Sequence, residues 1–90
     1  MAVLLVVHEI PDAERRSKVV GTLKRRHRIS IKLTETSFAM HTQLLPVRIF
    51  DEVKEELRAG DQLYVIPICK PYTGYGPRAT TEWLSDYLPG

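Results

Sequence analysis

The run Val3-Leu4-Leu5-Val6-Val7 constrains this chain more than any other stretch. Side chains alternate from face to face along a strand, so five consecutive aliphatic residues make a strand that is apolar on both faces. Residues 62–68, Gln62-Leu63-Tyr64-Val65-Ile66-Pro67-Ile68, repeat the pattern. An antiparallel sheet with one wet face shows polar alternation in its central strands; these strands do not, so their sheet must be covered on both sides. With 90 residues there is little chain to do it, and the core of so small a domain is thin. Two covers are available: the C-terminal segment of the same chain, or a second copy packing sheet on sheet. The thin core favours the second copy, and a homodimer is expected.

The remaining elements follow from punctuation and period. Residues 2–9 form the first strand. Pro11 disfavours helix in the residue before it and Asp12 suits an N-cap. Helical spacing over 12–27 puts Ala13, Val19, Val20, Leu23 and His27 on one side and Arg15, Lys18, Arg25 and Arg26 on another. Arg16 falls within the apolar arc, in the first turns. Ile29, Ile31 and Leu33 alternate with Arg28, Ser30 and Lys32, which predicts a half-buried strand over 28–35. Thr34-Glu35-Thr36-Ser37 is the only place for a turn before the next strand begins at Phe38-Ala39-Met40. Pro46 suits a first helical turn, and Val47, Phe50, Val53 and Leu57 carry helical spacing to Gly60. Pro67 argues for an edge position or a strand end in the last strand.

The order β-α-β-β-α-β is the ferredoxin-like α+β plan, assigned to residues 1–68. Right-handed crossovers place the third strand between the first and second and the fourth outside the first. Residues 69–90 form a tail that packs on the domain or on a dimer partner. It consists of a Gly/Pro/Tyr loop, Pro71 to Pro77, and a short amphipathic segment with Trp83, Leu84, Tyr87 and Leu88 on one face, read as dimer-interface anchors.

Charge is unevenly placed. Residues 1–14 carry three acids and no base, residues 15–32 carry eight bases and no acid, and residues 33–90 carry five bases and eight acids. Arg15, Arg16, Lys18, Arg25, Arg26 and Arg28 are therefore candidates for neutralising phosphates of RNA or DNA, contacts that give affinity without base readout. A solvated helix face is the alternative. Tyr72 and Tyr75, between Lys70 and Arg78, offer rings on which bases of a single strand stack; a packed connecting loop is the other reading.

Cys69 is the only cysteine, so neither a disulfide framework nor a cysteine zinc site is expected. No apolar run approaches the about 18–20 residues of a membrane span, and the first seven residues do not make a secretory signal. A soluble cytoplasmic protein is expected. No Gly-rich phosphate loop, His-Glu-x-x-His motif or nucleophile elbow is present.

The first strand ends in His8-Glu9. An ionised carboxylate at a buried strand end needs a cation, hydrogen bonds or a metal. Glu9 is the candidate catalytic and metal-binding residue: with its symmetry mate it would hold Mg²⁺ or Mn²⁺, which activate water on phosphate. The alternative is an ion pair with Arg16. His8 points to the opposite face, so His8 and Glu9 cannot share a ligand, and a packed histidine is the expectation there. His27 and His41 are read as structural or exposed.

Val6-Val7-His8-Glu9-Ile10-Pro11-Asp12, followed by Arg15-Arg16 and Lys18-Val19, resembles the start of the small CRISPR-associated "Cas-two" proteins, in which a Tyr-Asp pair precedes Pro, Asp and paired Arg. Thr36-Ser37-Phe38, Gly60-Asp61-Gln62-Leu63-Tyr64-Val65-Ile66 and Trp83-Leu84 resemble the SinR-like and VapD-like branch. The resemblance implies a ferredoxin-like homodimer that binds nucleic acid. It implies one of three roles: a metal-dependent nuclease, a ribonuclease toxin, or a non-catalytic scaffold that binds duplex DNA or a protein partner. In the nuclease reading the strand-end acid binds the metal in the dimer cleft; here it is Glu9 in place of Asp, with His8 in place of Tyr.

Overall fold

The computed structural model describes residues 2–90. Strand β1 (Ala2–Glu9) leads into helix α1 (Ala13–Arg26), the hairpin β2 (Ser30–Thr34) and β3 (Ser37–Thr42), helix α2 (Pro46–Asp51), a 3₁₀ turn (Lys54–Glu56), strand β4 (Gln62–Ile68) and helix α3 (Arg78–Tyr87). The four strands form one antiparallel sheet in the order β2-β3-β1-β4. This is the ferredoxin-like arrangement expected from right-handed crossovers. β4 is an edge strand, which accommodates the missing N–H of Pro67.

Asp12 caps α1 as its composition suggests: Arg15 N–H donates to Asp12 Oδ1 at 2.8 Å. The helix lays Val19 and Leu23 on one face of the sheet, where they join Leu4, Val6, Ile10, Phe38, Met40, Ile49 and Val53 in the main core. Each aliphatic side chain buried there contributes about 1.5–3 kcal/mol. The β2–β3 turn falls where expected, and His8 N–H donates to Thr36 O at 2.8 Å, which pins the hairpin to the end of β1.

The second helix departs from expectation. It ends at Asp51 instead of running to Gly60, and Val47 and Phe50 are exposed; Ile49 and Val53 are the buried pair. Asp51, Glu52, Glu55 and Glu56 would lie towards the carbonyl end of a longer helix, where negative charge opposes the macrodipole. Breaking the helix releases two of them. Glu52 meets His27, the C-cap of α1, at 3.0 Å, and Glu56 meets Lys18 on α1 at 3.2 Å. His27 is thus structural. Gly60, with φ +92°, makes the turn into β4 in a conformation that costs any other residue more.

The tail returns across the second face of the sheet. Val3, Ala39 and Leu88 are buried together, with Ile31, Leu33, Ile68, Trp83, Leu84 and Tyr87 packed around them. Ten residues are too few for a stable isolated helix; α3 is held by this apolar face and by its anchor, Lys70 N–H donating to Pro89 O at 2.7 Å and Lys70 Nζ to Ser85 O at 2.9 Å. Trp83, Leu84, Tyr87 and Leu88, expected between copies, are therefore engaged by the sheet of their own chain. Of the two covers considered for the second face, the tail is the one present over this half. The other half stays open: Leu5 and Val7 are half-buried, and beside them Ile66 is 45% and Tyr64 60% exposed.

Candidate functional site

Glu9 closes β1 opposite Gln62 of β4, on the same face as Leu5 and Val7, and its side chain is exposed. The expected ion pair with Arg16 is not formed. Arg16 rises from α1 on the helix side of the sheet, and its Nη1 donates to Ile10 O at 2.8 Å. Strand alternation puts Glu9 on the other side. The carboxylate needs no buried counter-charge because solvent reaches it. Among the described residues no three His, Cys, Asp or Glu side chains converge on a metal position; Glu9 lines a cleft with Glu35, His8 and Arg16.

The eight cations of residues 15–32 divide by partner. Arg15 is structural: its Nε and Nη2 donate to Asp61 Oδ2 and Oδ1 at 2.7 and 2.8 Å, and the Asp61 side chain is 1% exposed. This hydrogen bond, with the Arg58 N–H on the same carboxylate, brings the Asp61 carboxyl down to about 2. Lys18 meets Glu56, and Lys32 Nζ donates to Glu35 at 2.6 Å on the hairpin. Lys24 lies over the Phe38 ring, 5.3 Å from its centre. Among the described residues Arg25, Arg26 and Arg28 have no acidic partner within 4.0 Å, and they cluster where α1 ends and β2 approaches. Of the six candidate phosphate contacts, Arg15 and Lys18 have acidic partners, Arg16 donates to a carbonyl, and Arg25, Arg26 and Arg28 are the exposed ones without an acid.

In the tail, Tyr72 is engaged by the fold: its hydroxyl donates to Thr81 O at 3.3 Å and lies 3.1 Å from Ser85 Oγ. Tyr75 is fully exposed in the Gly74–Gly76 loop. His41 stacks on Tyr87, with ring centres 5.0 Å apart, which makes it part of the tail packing.

His8 is the residue whose surroundings were least legible. It is 4% exposed and its Nδ1 has no hydrogen-bond partner. Burial, and then the nearby charges of Arg16 and Lys24, hold its pKa below the ordinary histidine value, against a smaller opposing effect of Glu9. Lys24 was not singled out in the chain, although Arg16, Val20 and Lys24 recur every four residues and so share one face of α1.

No family model matches the chain, and no curated protein does. Among solved structures it is similar to the crystal structure of a hypothetical protein, TT1823, from Thermus thermophilus, with a TM-score of 0.64 and 22% sequence identity over 84% of this chain and 94% of that one. That likeness is one of fold.

Proposed function

We propose that this chain is a cytoplasmic, dimeric, nucleic-acid-associated protein of the kind its resemblance to the Cas-two, VapD and SinR-like groups implies, binding the phosphate backbone of RNA or DNA without base readout. The observation that carries the reading is that Arg25, Arg26 and Arg28, together where α1 ends, are exposed and have no acidic partner among the described residues, whereas Arg15, Lys18 and Lys32 of the same basic segment do. Arginine is well suited to phosphate, since its planar fork donates two parallel hydrogen bonds. The open stripe of Leu5, Val7, Tyr64 and Ile66 supports a second copy as the partner, because a small domain gains from covering such a surface. That no helix among the described residues is long and apolar enough to cross a membrane agrees with this.

A second reading rests on Glu9. A copy that covers the stripe also covers the strand end, and two facing carboxylates either raise one pKa or recruit a divalent cation. Mg²⁺ or Mn²⁺ there would supply an activated water to a phosphodiester. The exposed, unpaired state of Glu9 favours this over the structural role.

The test is fluorescence anisotropy on labelled duplex DNA and RNA across a salt series. The expected result is weak binding, equal for unrelated sequences, with a steep loss of affinity as salt rises. Arg25→Glu with Arg26→Glu should abolish it. Undetectable binding of the unmutated protein at low salt would defeat the proposal.

A further inference from the structure

Between α1 and the β2–β3 hairpin lies a cleft of about 330 Å³, lined on the helix side by Arg16, Ser17, Gly21 and Lys24 and on the sheet side by His8, Lys32, Thr34, Ser37 and Phe38. The Arg25 guanidinium borders it at Gly21, and a smaller neighbouring cleft that shares His8, Arg16 and Glu35 reaches Glu9. Three of its lining side chains are cations and one, Glu35, is an acid, so the lining carries net positive charge. Lys32 and Glu35 are paired at the rim, which leaves Arg16 and Lys24 as the uncompensated charges inside.

Each polar group here has unused donor capacity. Arg16 spends one N–H on Ile10 O, and a guanidinium has five. Ser17 lines the cleft, and among the described residues its side chain has no hydrogen-bond partner. Thr34 Oγ1 accepts Thr36 N–H at 3.2 Å and lies 2.6 Å from Ser37 Oγ and 3.5 Å from Thr36 Oγ1; when Thr34 donates to Ser37, the Ser37 hydroxyl hydrogen is left for a ligand. The His8 imidazole makes no side-chain hydrogen bond although it is more than nine-tenths buried. A buried polar group left without a partner costs free energy, and such groups are rare unless something satisfies them. Gly21, in mid-helix, contributes no side chain to the α1 wall, and Arg25 Nη1 lies 3.0 Å from where its Cβ would be.

We propose that this cleft binds a phosphate monoester, with Arg16 and Lys24 balancing its two negative charges and Ser17, the Thr34–Ser37 pair and His8 bonding its oxygens. The cleft lies between a helix and a hairpin and has room for the phosphate at the end of a molecule. Two sources share that chemistry: the terminal phosphate of a nucleic-acid strand, and a free nucleotide or inorganic phosphate. The proposal stands independently of backbone binding by the arginine cluster.

The experiment is a titration followed by NMR, reading the amides of Ser17 and Gly21 and the His8 ring, with inorganic phosphate, with AMP against adenosine, and with a short 5′-phosphorylated strand against its 5′-hydroxyl counterpart. Expected are saturable shifts at all three residues with phosphate and AMP and none with adenosine. Lys24→Gln should weaken phosphate binding at least about fivefold, as the loss of one charge-assisted contact implies, and Lys24→Arg should restore it. Arg26→Glu with Arg28→Glu, neither of which lines the cleft, should weaken duplex binding and leave these shifts in place, so the two sites fail separately. Tighter binding of the phosphorylated strand than of AMP assigns the source to strand ends; equal binding assigns it to the free phosphate compound. Absence of saturable shifts up to about 20 mM phosphate, below which any useful affinity would show, overturns the proposal, as do unchanged shifts in Lys24→Gln.

Discussion

Arg15 and Asp61 lie 46 residues apart in the chain and are joined by two hydrogen bonds of 2.7 and 2.8 Å, with the carboxylate shut off from solvent. The same carboxylate accepts Arg58 N–H at 2.9 Å. One side chain therefore shapes the turn that enters β4 and fastens it to the first turn of α1. A cation that by composition belongs to a nucleic-acid surface is instead part of the framework.

Asp61→Asn should lower Tm by several degrees at neutral pH. The sign of the pH dependence is set by the folded carboxyl at about 2, below its unfolded value near 3.9. The stabilisation is complete above the unfolded value and is lost as pH falls through the folded one. Thermal melts of both proteins between pH 6 and about 2 should show the difference shrinking over roughly pH 4 to 2; a difference independent of pH would remove the ion pair as its cause.

Glu9→Gln should change stability by less than about 0.5 kcal/mol, the usual range for a surface substitution without a partner. Urea unfolding checks this. If Glu9 holds a divalent cation between two copies, the variant loses Mg²⁺- or Mn²⁺-dependent cleavage of RNA or DNA while its urea midpoint stays put. A large loss of stability would restore the structural role for this carboxylate.

Gly21→Ala should stabilise the fold by about 0.5–1 kcal/mol, because glycine in a helix interior is less favourable than alanine by that amount. The added Cβ would meet only Arg25 Nη1, at 3.0 Å, the mobile end of a long side chain. Chemical denaturation gives the measurement. A destabilised variant would mean that the α1 backbone is held more closely at this point than the contact indicates.

Leu88→Ala should cost about 2–4 kcal/mol, in the range of large-to-small core substitutions. Leu88 is 5% exposed and closes the cluster that joins Val3 and Ala39 to the tail. A two-state melt should remain, shifted downwards, because the tail and the sheet share that cluster. A loss confined to α3, read from exchange of its amides with the sheet still protected, would show instead that the tail is a separate, weaker unit.

What the sequence determined by itself was the set of elements and the plan they follow. The period of 2 in residues 28–35, the helical period and Asp12 cap of α1, and the position of Pro67 depend on neighbours a few residues apart, and the strand order followed from chirality that every L-chain shares. The doubly apolar β1 also stated that both faces needed cover. The tertiary structure alone decided who would meet whom. Arg15 chose Asp61, Lys18 chose Glu56 and Glu52 chose His27, across separations that no local period encodes. The same docking ended α2 early, put Arg16 on a carbonyl instead of Glu9, and laid the tail over half of the second face. Long polar side chains reach several partners of similar energy, so the choice among them falls to the packing of the apolar faces, which sets where each helix lies on the sheet.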